Sequence, residues 1–310
     1  MMKSILIMGG TNFVSSSLAK YLIGQGYEVH ILTRGFRELN YEGYKEHLVC
    51  DRKSKVEMEE VLKERKYEYI FDISAYTKED VEILLSIIDK NALKKYIFCS
   101  SGSVYVPSDV LIDEDFERGE NYNWGDYGLN KKKAEDFIIN SGITYTIFRP
   151  PYIYGENNNL YRETYFFDRI NNEKVIPMPF GKGAKTQFIH IDDVVRVFES
   201  AMNTNGSAVY NVTNPELISW EELITKCGEV VGKKPLIKKI DTSEVMLEPR
   251  SYFPFRDVTY TLDIKHLVED KLYIPAISLE EGLKQAYEWY KSVKPNLSDD
   301  RMMKTVNELI

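Results

Sequence analysis

The sequence ILIMGGTNFVSSSLAKYL, residues 5–22, joins a short apolar run to a helix-like pattern through two adjacent glycines. This order predicts a buried strand, a tight turn and an amphipathic helix. Such a turn directs backbone N–H groups and the positive end of the helix at one point, which suits a phosphate. The dinucleotide fingerprint requires further glycines where Asn12 and Ser15 stand. Taken alone, the stretch is weak evidence for a nucleotide site, because a Gly-Gly turn between strand and helix is often only a turn.

Short apolar runs continue to alternate with amphipathic segments as far as residue 148. This rhythm predicts an α/β fold, a doubly wound parallel sheet of Rossmann type with helices on both faces. Beyond residue 155 the rhythm breaks, and a smaller α/β substrate lobe is expected. The predicted domains are 1–155 for dinucleotide binding and 156–310 for the lobe, which returns a strand at 209–212 to the main sheet. The tail, 293–310, is either frayed or a packing helix. Further strands are predicted at 27–32, 47–50, 69–73, 96–99, 144–148, 187–191 and 236–240, and helices at 56–63, 79–89 and 126–140.

Small or polar residues follow each of the first five predicted strands. They are Gly9, Arg34, Asp51, the pair Ser74–Ala75 and the pair Ser100–Ser101. Ligands of parallel sheets lie at the carboxyl ends of strands, so these residues are candidates for one binding cleft. An acidic residue after the second strand usually binds the adenosine ribose, whereas a basic one accommodates a 2′-phosphate. Arg34 favours NADP on this criterion, with an exposed loop arginine as the alternative.

Composition and charge exclude several classes of protein. With 43% hydrophobic and 28% charged residues, the chain fits a soluble globular protein. The net charge of −8 makes nucleic-acid binding through a basic surface unexpected. The three cysteines, Cys50, Cys99 and Cys227, form no C-x-x-C pair, which argues against a metal site and against disulfides. We therefore expect a reduced, cytoplasmic protein without a signal peptide, a membrane span or a bound metal.

Tyr127 and Lys131 lie four residues apart in a predicted helix, so their side chains share one face. Tyrosine, with a pKa of about 10, is a poor base at neutral pH. A neighbouring ammonium and a nicotinamide ring would favour the phenolate, and Ser101 would bind the same substrate oxygen. The three residues are therefore the candidate catalytic set for oxidising an alcohol or reducing a ketone. The alternative is an ordinary surface pair, which is common at this spacing.

Five segments in order carry a resemblance to a known family. They are GGTNFV (9–14), SSGSVY (100–105), YGLNK (127–131), RPPYIYG (149–155) and FIHIDDV (188–194). The chain resembles extended short-chain dehydrogenases/reductases of the NAD-dependent epimerase/dehydratase family. The resemblance implies that Ser101, Tyr127 and Lys131 are catalytic and that NAD or NADP is the cofactor. The implied cofactor contacts are Gly9, Thr11, Asn12, Phe13, Val14, Arg34, Asp51, Ser74, Ala75, Ser100, Tyr127, Lys131, Pro150 and Ile153. The candidate substrate contacts are Ser101, Tyr152, Arg250 and Arg256, the arginines as anchors for an anionic group.

The expected activity is that of an NAD(P)-dependent epimerase or oxidoreductase acting on a nucleotide sugar or a related hydroxyl or keto compound. A dehydratase is disfavoured, because the acidic residue that often follows the catalytic serine in dehydratases is replaced by Gly102. By analogy with the family, the helices at 79–89 and 126–140 would pair in a homodimer. His190 is expected to have a structural role.

The altered glycine loop also resembles a subgroup like the chloroplast stem-loop-binding proteins, as does the segment PFRD, residues 254–257. Some members of that subgroup are associated with RNA. A non-catalytic, dinucleotide-responsive or RNA-associated protein on the same fold is therefore the alternative function. The intact catalytic set and the net charge of −8 argue against it.

Overall fold

The computed structural model describes residues 3–310, which form a seven-stranded parallel sheet and two small two-stranded sheets. The strand order of the main sheet is β3-β2-β1-β4-β5-β6-β10. This is the doubly wound order 3-2-1-4-5-6, extended by one strand from the carboxyl-terminal half. The predicted fold class is confirmed. The main strands are β1 (Ser4–Met8), β2 (Glu28–Thr33), β3 (Glu46–Val49), β4 (Tyr69–Asp72), β5 (Lys95–Cys99), β6 (Tyr145–Arg149) and β10 (Ala208–Asn211).

Both faces of the main sheet are covered, which explains why its strands are continuously apolar. Alternate residues of β1 enter different cores: Ile5 and Ile7 pack in one hydrophobic cluster, and Leu6 and Met8 in another. The first cluster contains side chains of α1 and α6, and the second contains side chains of α2, α3 and α4. The helices on the two faces are α1 (Phe13–Gly24), α2 (Lys55–Leu62), α3 (Lys78–Ile87), α4 (Asp126–Ile139) and α6 (Ile191–Ser200).

The carboxyl-terminal half has a third core that is rich in aromatic residues, including Tyr165, Phe166, Phe167, Tyr252 and Phe253. In its two small sheets, β7 pairs with β9 and β8 pairs with β11. The elements of this half are β7 (Tyr152–Tyr154), α5 (Glu163–Asn171), β8 (Ile176–Phe180), β9 (Phe188–His190), α7 (Trp220–Val231), β11 (Ile237–Asp241), α8 (Lys265–Glu269), α9 (Leu279–Val293) and α10 (Asp300–Leu309).

The tail is a packing helix, one of the two alternatives that the sequence left open, because α10 buries Met302 and Val306 in the third core. The predicted return of a strand to the main sheet is also found, since β10 pairs with β6. Residues between Ile189 and Tyr210 pack in the same cluster as β1 and α1. The division of the chain at residue 155 therefore stays a prediction.

Cys50, Cys99 and Cys227 are buried free thiols. Within residues 3–310, no helix combines the length and the apolar character required to cross a membrane.

Candidate active site

The strand-end residues that the sequence singled out all lie at one edge of the main sheet. Gly9, Arg34 and Asp51 follow β1, β2 and β3, and the two small-residue pairs, Ser74–Ala75 and Ser100–Ser101, follow β4 and β5. Because these strands are parallel, their carboxyl ends face the same way. The strand order reverses between β1 and β4, and the crevice at this reversal is where doubly wound sheets bind ligands.

The glycine turn is closed by a side chain that replaces one of the missing glycines. Gly9 and Gly10 have φ angles of 110° and 144°, which favour glycine. A Cβ on Gly10 would stand 2.5 Å from Cγ2 of Ile31. The Ser15 hydroxyl accepts a hydrogen bond from the Gly10 N–H at 2.9 Å and donates one to the Asn12 carbonyl at 2.8 Å. Ser15 thus stabilises the turn itself.

The amino terminus of α1 remains available to an anion. Its N-cap, Asn12, makes no side-chain capping bond, and its first turn contains no acidic residue. Instead, the Asn12 side-chain oxygen accepts a hydrogen bond from Arg37 at 2.5 Å, which brings a guanidinium to the turn. The Tyr41 hydroxyl donates a hydrogen bond to the Gly10 carbonyl at 2.7 Å. This bond holds the loop between β2 and β3 over the two glycines. A glycine turn, a free helix terminus and a guanidinium fit the pyrophosphate of a dinucleotide. Thr11 lies in this turn, Phe13 and Val14 begin α1 directly after it, and Arg37 is a candidate that the sequence did not predict.

Arg34 and Asp51 are exposed at the outer end of this edge. The Arg34 guanidinium lies 5.0 Å from the ring of Phe36, and a carboxylate oxygen of Asp51 accepts a hydrogen bond from the Lys53 N–H. At the other side, the Pro150 carbonyl accepts from the Gly102 N–H at 3.0 Å, and Ile153 is half-buried in β7. Contacts of these four residues with a cofactor remain predictions.

A buried ion pair supports the loop of Ser74 and Ala75. Both carboxylate oxygens of Asp72 accept hydrogen bonds from Arg52, each at 2.8 Å. One oxygen also accepts from the backbone N–H groups of Ser74 and Ala75, and the other from the Tyr96 hydroxyl at 2.6 Å. Burial alone would raise the pKa of Asp72, but Arg52 and Tyr96 lower it overall. The loop that follows β4 is therefore anchored from beneath.

The two serines after β5 have different environments. The Ser100 hydroxyl donates to a Glu135 carboxylate oxygen at 2.5 Å, and the same carboxylate pairs with the buried Arg149. Ser100 is thus bound within the protein core. Within the part of the chain that the structure describes, the Ser101 hydroxyl accepts only a backbone hydrogen bond from Ser103, at 3.2 Å, and its proton is left for another partner.

Lys131 is buried in α4 and is held by the ends of two strands. Its ammonium donates hydrogen bonds to the carbonyls of Ala75 and Cys99, both at 2.7 Å. Burial lowers the pKa of Lys131, whereas the neighbouring Cys99 and Asp72 act in the opposite direction. An ammonium has three donors, so one remains for a ligand in the cleft.

Tyr127 lies one helical turn before Lys131 and keeps 40% of its surface exposed. Its ring lies 6.0 Å from that of Tyr76. Desolvation raises the pKa of Tyr127, and Cys99 and Tyr76 raise it further, whereas Ser101 and Arg162 lower it. The net direction is upward, opposite to the one expected from Lys131, because desolvation of the phenol is the larger effect. Ser101 and Tyr127 are neighbours, and Lys131 lies at the end of the same strand that precedes Ser101; their catalytic roles stay predictions.

The carboxyl-terminal half contributes two arginines, Arg162 and Arg256, that have no acidic partner among residues 3–310. Among residues 3–310, neither Arg162 nor Arg256 has a side-chain hydrogen bond or an ion pair. The Arg162 guanidinium lies 5.1 Å from the ring of Tyr152, and that of Arg256 lies 4.7 Å from the ring of Trp124. Burial lowers the pKa of both arginines. Arg250 differs from them, since it pairs with Asp299 at 3.4 Å.

A cleft of about 370 Å³ opens beside Gly102, and Tyr105, Trp124, Asp257 and Tyr260 are among its lining residues. The sequence predicted none of Trp124, Arg162 or Tyr260 as site residues, because they come from separate segments without a recognisable motif. His190 is buried in β9; its Nε2 lies 3.2 Å from a Glu156 carboxylate oxygen, and its Nδ1 accepts a hydrogen bond from the Asp192 N–H. In the part of the chain that the structure describes, no group of three His, Cys, Asp or Glu residues is arranged to hold a metal ion.

Comparison with known proteins extends these observations. The model of the NAD dependent epimerase/dehydratase family matches residues 5–213, more than half of the chain. The chloroplast stem-loop binding protein of 41 kDa b from Arabidopsis thaliana is 28% identical over 303 residues, covering 92% of this chain and 78% of that protein.

Two solved structures share the fold. UDP-glucose 4-epimerase from Thermotoga maritima, solved with UDP-glucose, has a TM-score of 0.77 at 22% identity over 94% of this chain and 99% of that one. UDP-glucose 4-epimerase from Thermus thermophilus, in complex with NAD, has a TM-score of 0.75 at 17% identity over 93% and 98%. At such identities the likeness concerns the fold alone.

Proposed function

Since the chain belongs to the NAD-dependent epimerase/dehydratase family, we propose that it is an NAD(P)-dependent epimerase or oxidoreductase acting on a hydroxyl or keto group of a nucleotide sugar. The observation that carries the proposal is the convergence of Ser101, Tyr127 and Lys131 at the carboxyl edge of the sheet. Tyr127 is partly exposed, Ser101 has a hydroxyl proton to donate, and Lys131 has one free donor.

In the proposed mechanism, the Tyr127 oxygen takes the proton of the substrate hydroxyl, while the carbon that bears this hydroxyl loses a hydride. A bound nicotinamide dinucleotide would supply the hydride acceptor. Ser101 donates a hydrogen bond to the reacting oxygen, and Lys131 binds the cofactor ribose through its third N–H. The raised pKa of Tyr127 requires positive charge in the complex to favour the phenolate, and Arg162 already acts in that direction.

The two unpaired arginines support an anionic substrate. In a chain of net charge −8, Arg162 and Arg256 concentrate positive charge next to Tyr152, and Arg162 also acts on Tyr127. Guanidinium groups bind phosphate oxygens through paired N–H donors, so the diphosphate of a nucleotide sugar satisfies both. In this proposal Arg250 is the weakest of the three anchors, because Asp299 already neutralises it.

The packing around Gly102 supports an epimerase or reductase over a dehydratase that requires an acidic residue at this position. A Cβ there would stand 2.7 Å from the Tyr260 hydroxyl oxygen and 2.9 Å from Cδ1 of Leu262. The position therefore has no room for a carboxylate. The choice between NAD and NADP rests on Arg34, a basic residue where an acidic one usually binds the ribose, which favours a 2′-phosphate but does not exclude NAD.

A second candidate function is RNA binding, which the similarity to the stem-loop binding protein favours. It requires an RNA surface on a protein of net charge −8. Binding that depends on phosphate contacts would weaken steeply with salt.

The deciding experiment measures cofactor and substrate use by the purified chain. Native mass spectrometry identifies any retained dinucleotide, and fluorescence titrations compare NAD(H) with NADP(H). A panel of nucleotide sugars is then assayed with the parent protein and with Tyr127→Phe. We expect Tyr127→Phe to lower turnover by about 10²- to 10⁴-fold, the usual contribution of a positioned acid or base.

Tyr145→Phe is the matched control, because Tyr145 begins β6 at the opposite edge of the sheet and its hydroxyl has no hydrogen bond among residues 3–310. Full turnover by Tyr127→Phe would refute the mechanism. Tight binding of a stem-loop RNA at physiological salt, without binding of either dinucleotide, would replace the proposal with the second candidate.

A further inference from the structure

Tyr260 crosses from the carboxyl-terminal half to the turn that carries Ser101. Its backbone is fixed in the carboxyl-terminal half, where the N–H of Tyr260 donates to the Lys185 carbonyl at 2.8 Å and its carbonyl accepts from the Thr186 hydroxyl at 3.5 Å. Its hydroxyl oxygen lies against Gly102, the residue after Ser101, where a Cβ would be only 2.7 Å away. One side chain therefore joins the two halves of the cleft at the candidate catalytic serine.

The ring of Tyr260 is held on several sides. Its centroid lies 5.0 Å from the ring of Trp124 and 5.5 Å from that of Tyr152, and only 5% of the residue is exposed. The Gly102 backbone closes another side. An enclosed phenol has few rotamers available, so the direction of its hydroxyl is set by this packing.

The buried hydroxyl of Tyr260 has no hydrogen-bond partner within normal limits among residues 3–310. Buried polar groups are nearly always paired, so an exception requires an explanation. Burial raises the pKa of Tyr260, and an interaction of hydrogen-bond type with the Ser101 hydroxyl acts in the opposite direction. Tyr105, Tyr127 and Tyr152 also face it, and all three are neutral phenols.

Ser101 has the complementary requirement. Its oxygen can accept two hydrogen bonds and donate one, and among residues 3–310 it accepts only the Ser103 N–H. A bond from Tyr260 would fill the second acceptor site. The Ser101 proton would then be left to point at the Tyr127 oxygen and the substrate.

We propose that Tyr260 is a positioning residue that donates its hydroxyl hydrogen bond to Ser101 and thereby directs the Ser101 proton at Tyr127. The proposal rests on the proposed function only in taking Ser101 and Tyr127 as the reacting pair. Tyr260 itself does not exchange a proton with the substrate.

The test measures the acidity of residue 127 in the full chain without any substrate. A difluorotyrosine, whose phenol is more acidic than that of tyrosine, is incorporated at position 127 and titrated by fluorine NMR. Tyr76, Cys99, Ser101 and Arg162 face this residue and are unchanged in the parent titration. Removing the hydroxyl with Tyr260→Phe should raise the pKa at position 127 by about half to one pH unit, the equivalent of one net hydrogen bond.

Ser101→Ala should raise the pKa at position 127 by at least as much. The double variant, Ser101→Ala with Tyr260→Phe, should show the same pKa as Ser101→Ala alone, because both substitutions act through the Ser101 hydroxyl. Tyr252→Phe is the control, since Tyr252 is another buried tyrosine whose hydroxyl lacks a partner in the described chain. An unchanged pKa in Tyr260→Phe, or additive shifts in the double variant, would overturn the proposal.

A second measurement covers the case in which Tyr260→Phe does not fold. Difluorotyrosine is placed at position 260. Its fluorine resonance must move in Ser101→Ala and stay in Ser292→Ala, a change at an exposed position of α9. If the fluorine resonance at position 260 does not move in Ser101→Ala, the contact between Tyr260 and Ser101 is refuted. Absence of turnover on every substrate would count against the proposed function and leave these titrations valid.

Discussion

Arg52 and Asp72 form a buried pair whose partners depend on each other. Removing a charge from such a pair leaves the other uncompensated, which costs about 3–5 kcal/mol. We therefore expect Arg52→Met to lower the free energy of unfolding at neutral pH by about that amount, as measured by urea denaturation. Lys53→Met is the control, because the adjacent Lys53 is exposed and makes no ion pair within residues 3–310.

The pH dependence distinguishes an unpaired charge from a general packing defect. In the parent chain the pKa of Asp72 is lowered, so its contribution to stability is present above its ordinary pKa of 3.8 and is lost as the pH falls through the lower value. Without Arg52, burial would raise that pKa, and protonation would relieve the defect. The difference between Arg52→Met and the parent should therefore shrink as the pH falls towards 4. A difference that stays constant with pH would contradict this account.

At the level of single residues, the sequence predicted pairs that share a helix and missed pairs that do not. Tyr127 and Lys131 are one turn apart, so their common face follows from helix geometry. Arg162 and Tyr260 reach the same cleft from segments 35 and 133 residues after Tyr127, and only tertiary packing relates them. The direction of the Tyr127 pKa was also beyond the sequence, because desolvation depends on the walls of the cleft.

Helix α4 packs directly on the turn that follows Ser101, and Gly128 makes this approach possible. A Cβ at Gly128 would stand 2.2 Å from the Ser103 carbonyl oxygen, a backbone atom that cannot rotate away. We expect Gly128→Ala to displace the helix and to cost about 1–3 kcal/mol of unfolding free energy, the usual range for overpacking. Because Tyr127 and Lys131 move with the helix, turnover should fall as well.

Gly24→Ala is the control for this prediction, since Gly24 ends α1 and has no atom within 4 Å of an added Cβ. It should leave the protein as stable as the parent or stabilise it by up to about 1 kcal/mol. Equal urea midpoints for Gly128→Ala and Gly24→Ala would contradict the prediction. They would show that α4 can move away from the Ser101 turn without loss of stability.

At the level of elements, the strands of the main sheet and one strand of each small sheet, β9 and β11, were predictable, whereas β7 and β8 were missed. The strands of the main sheet are buried on both faces and therefore read as apolar runs. Strand β8, in contrast, is IPMPF and contains Pro177 and Pro179, which lack the N–H that a strand ladder uses. The strand tolerates these prolines because it pairs with a neighbouring strand on one side only, β11. Pro150 and Pro151 follow β6 directly, whereas Pro177 and Pro179 lie within β8, so a proline alone does not mark where a strand ends.

Across the whole molecule, the cleft is assembled from both halves of an acidic chain. The main sheet supplies the turn at Gly9 and the catalytic candidates, and the carboxyl-terminal half supplies Arg162, Arg256 and Tyr260. Net charge predicted weak binding of nucleic acid, but it could not reveal two guanidinium groups without partners in one cleft. Local charge, not the total of −8, is what a small anionic ligand encounters.

This arrangement predicts how the chain discriminates between charged and neutral nucleotides. Calorimetric titration should show that UDP binds more tightly than uridine, because only UDP carries the diphosphate that Arg162 and Arg256 would pair with. Arg162→Met should weaken UDP binding by about tenfold to a hundredfold, the value of charge-assisted hydrogen bonds, and leave uridine unaffected. Arg301→Met, in the exposed face of α10, is the matched control and should change neither. Equal affinities for UDP and uridine would assign the two arginines to another anion and remove the support that they give to a nucleotide-sugar substrate.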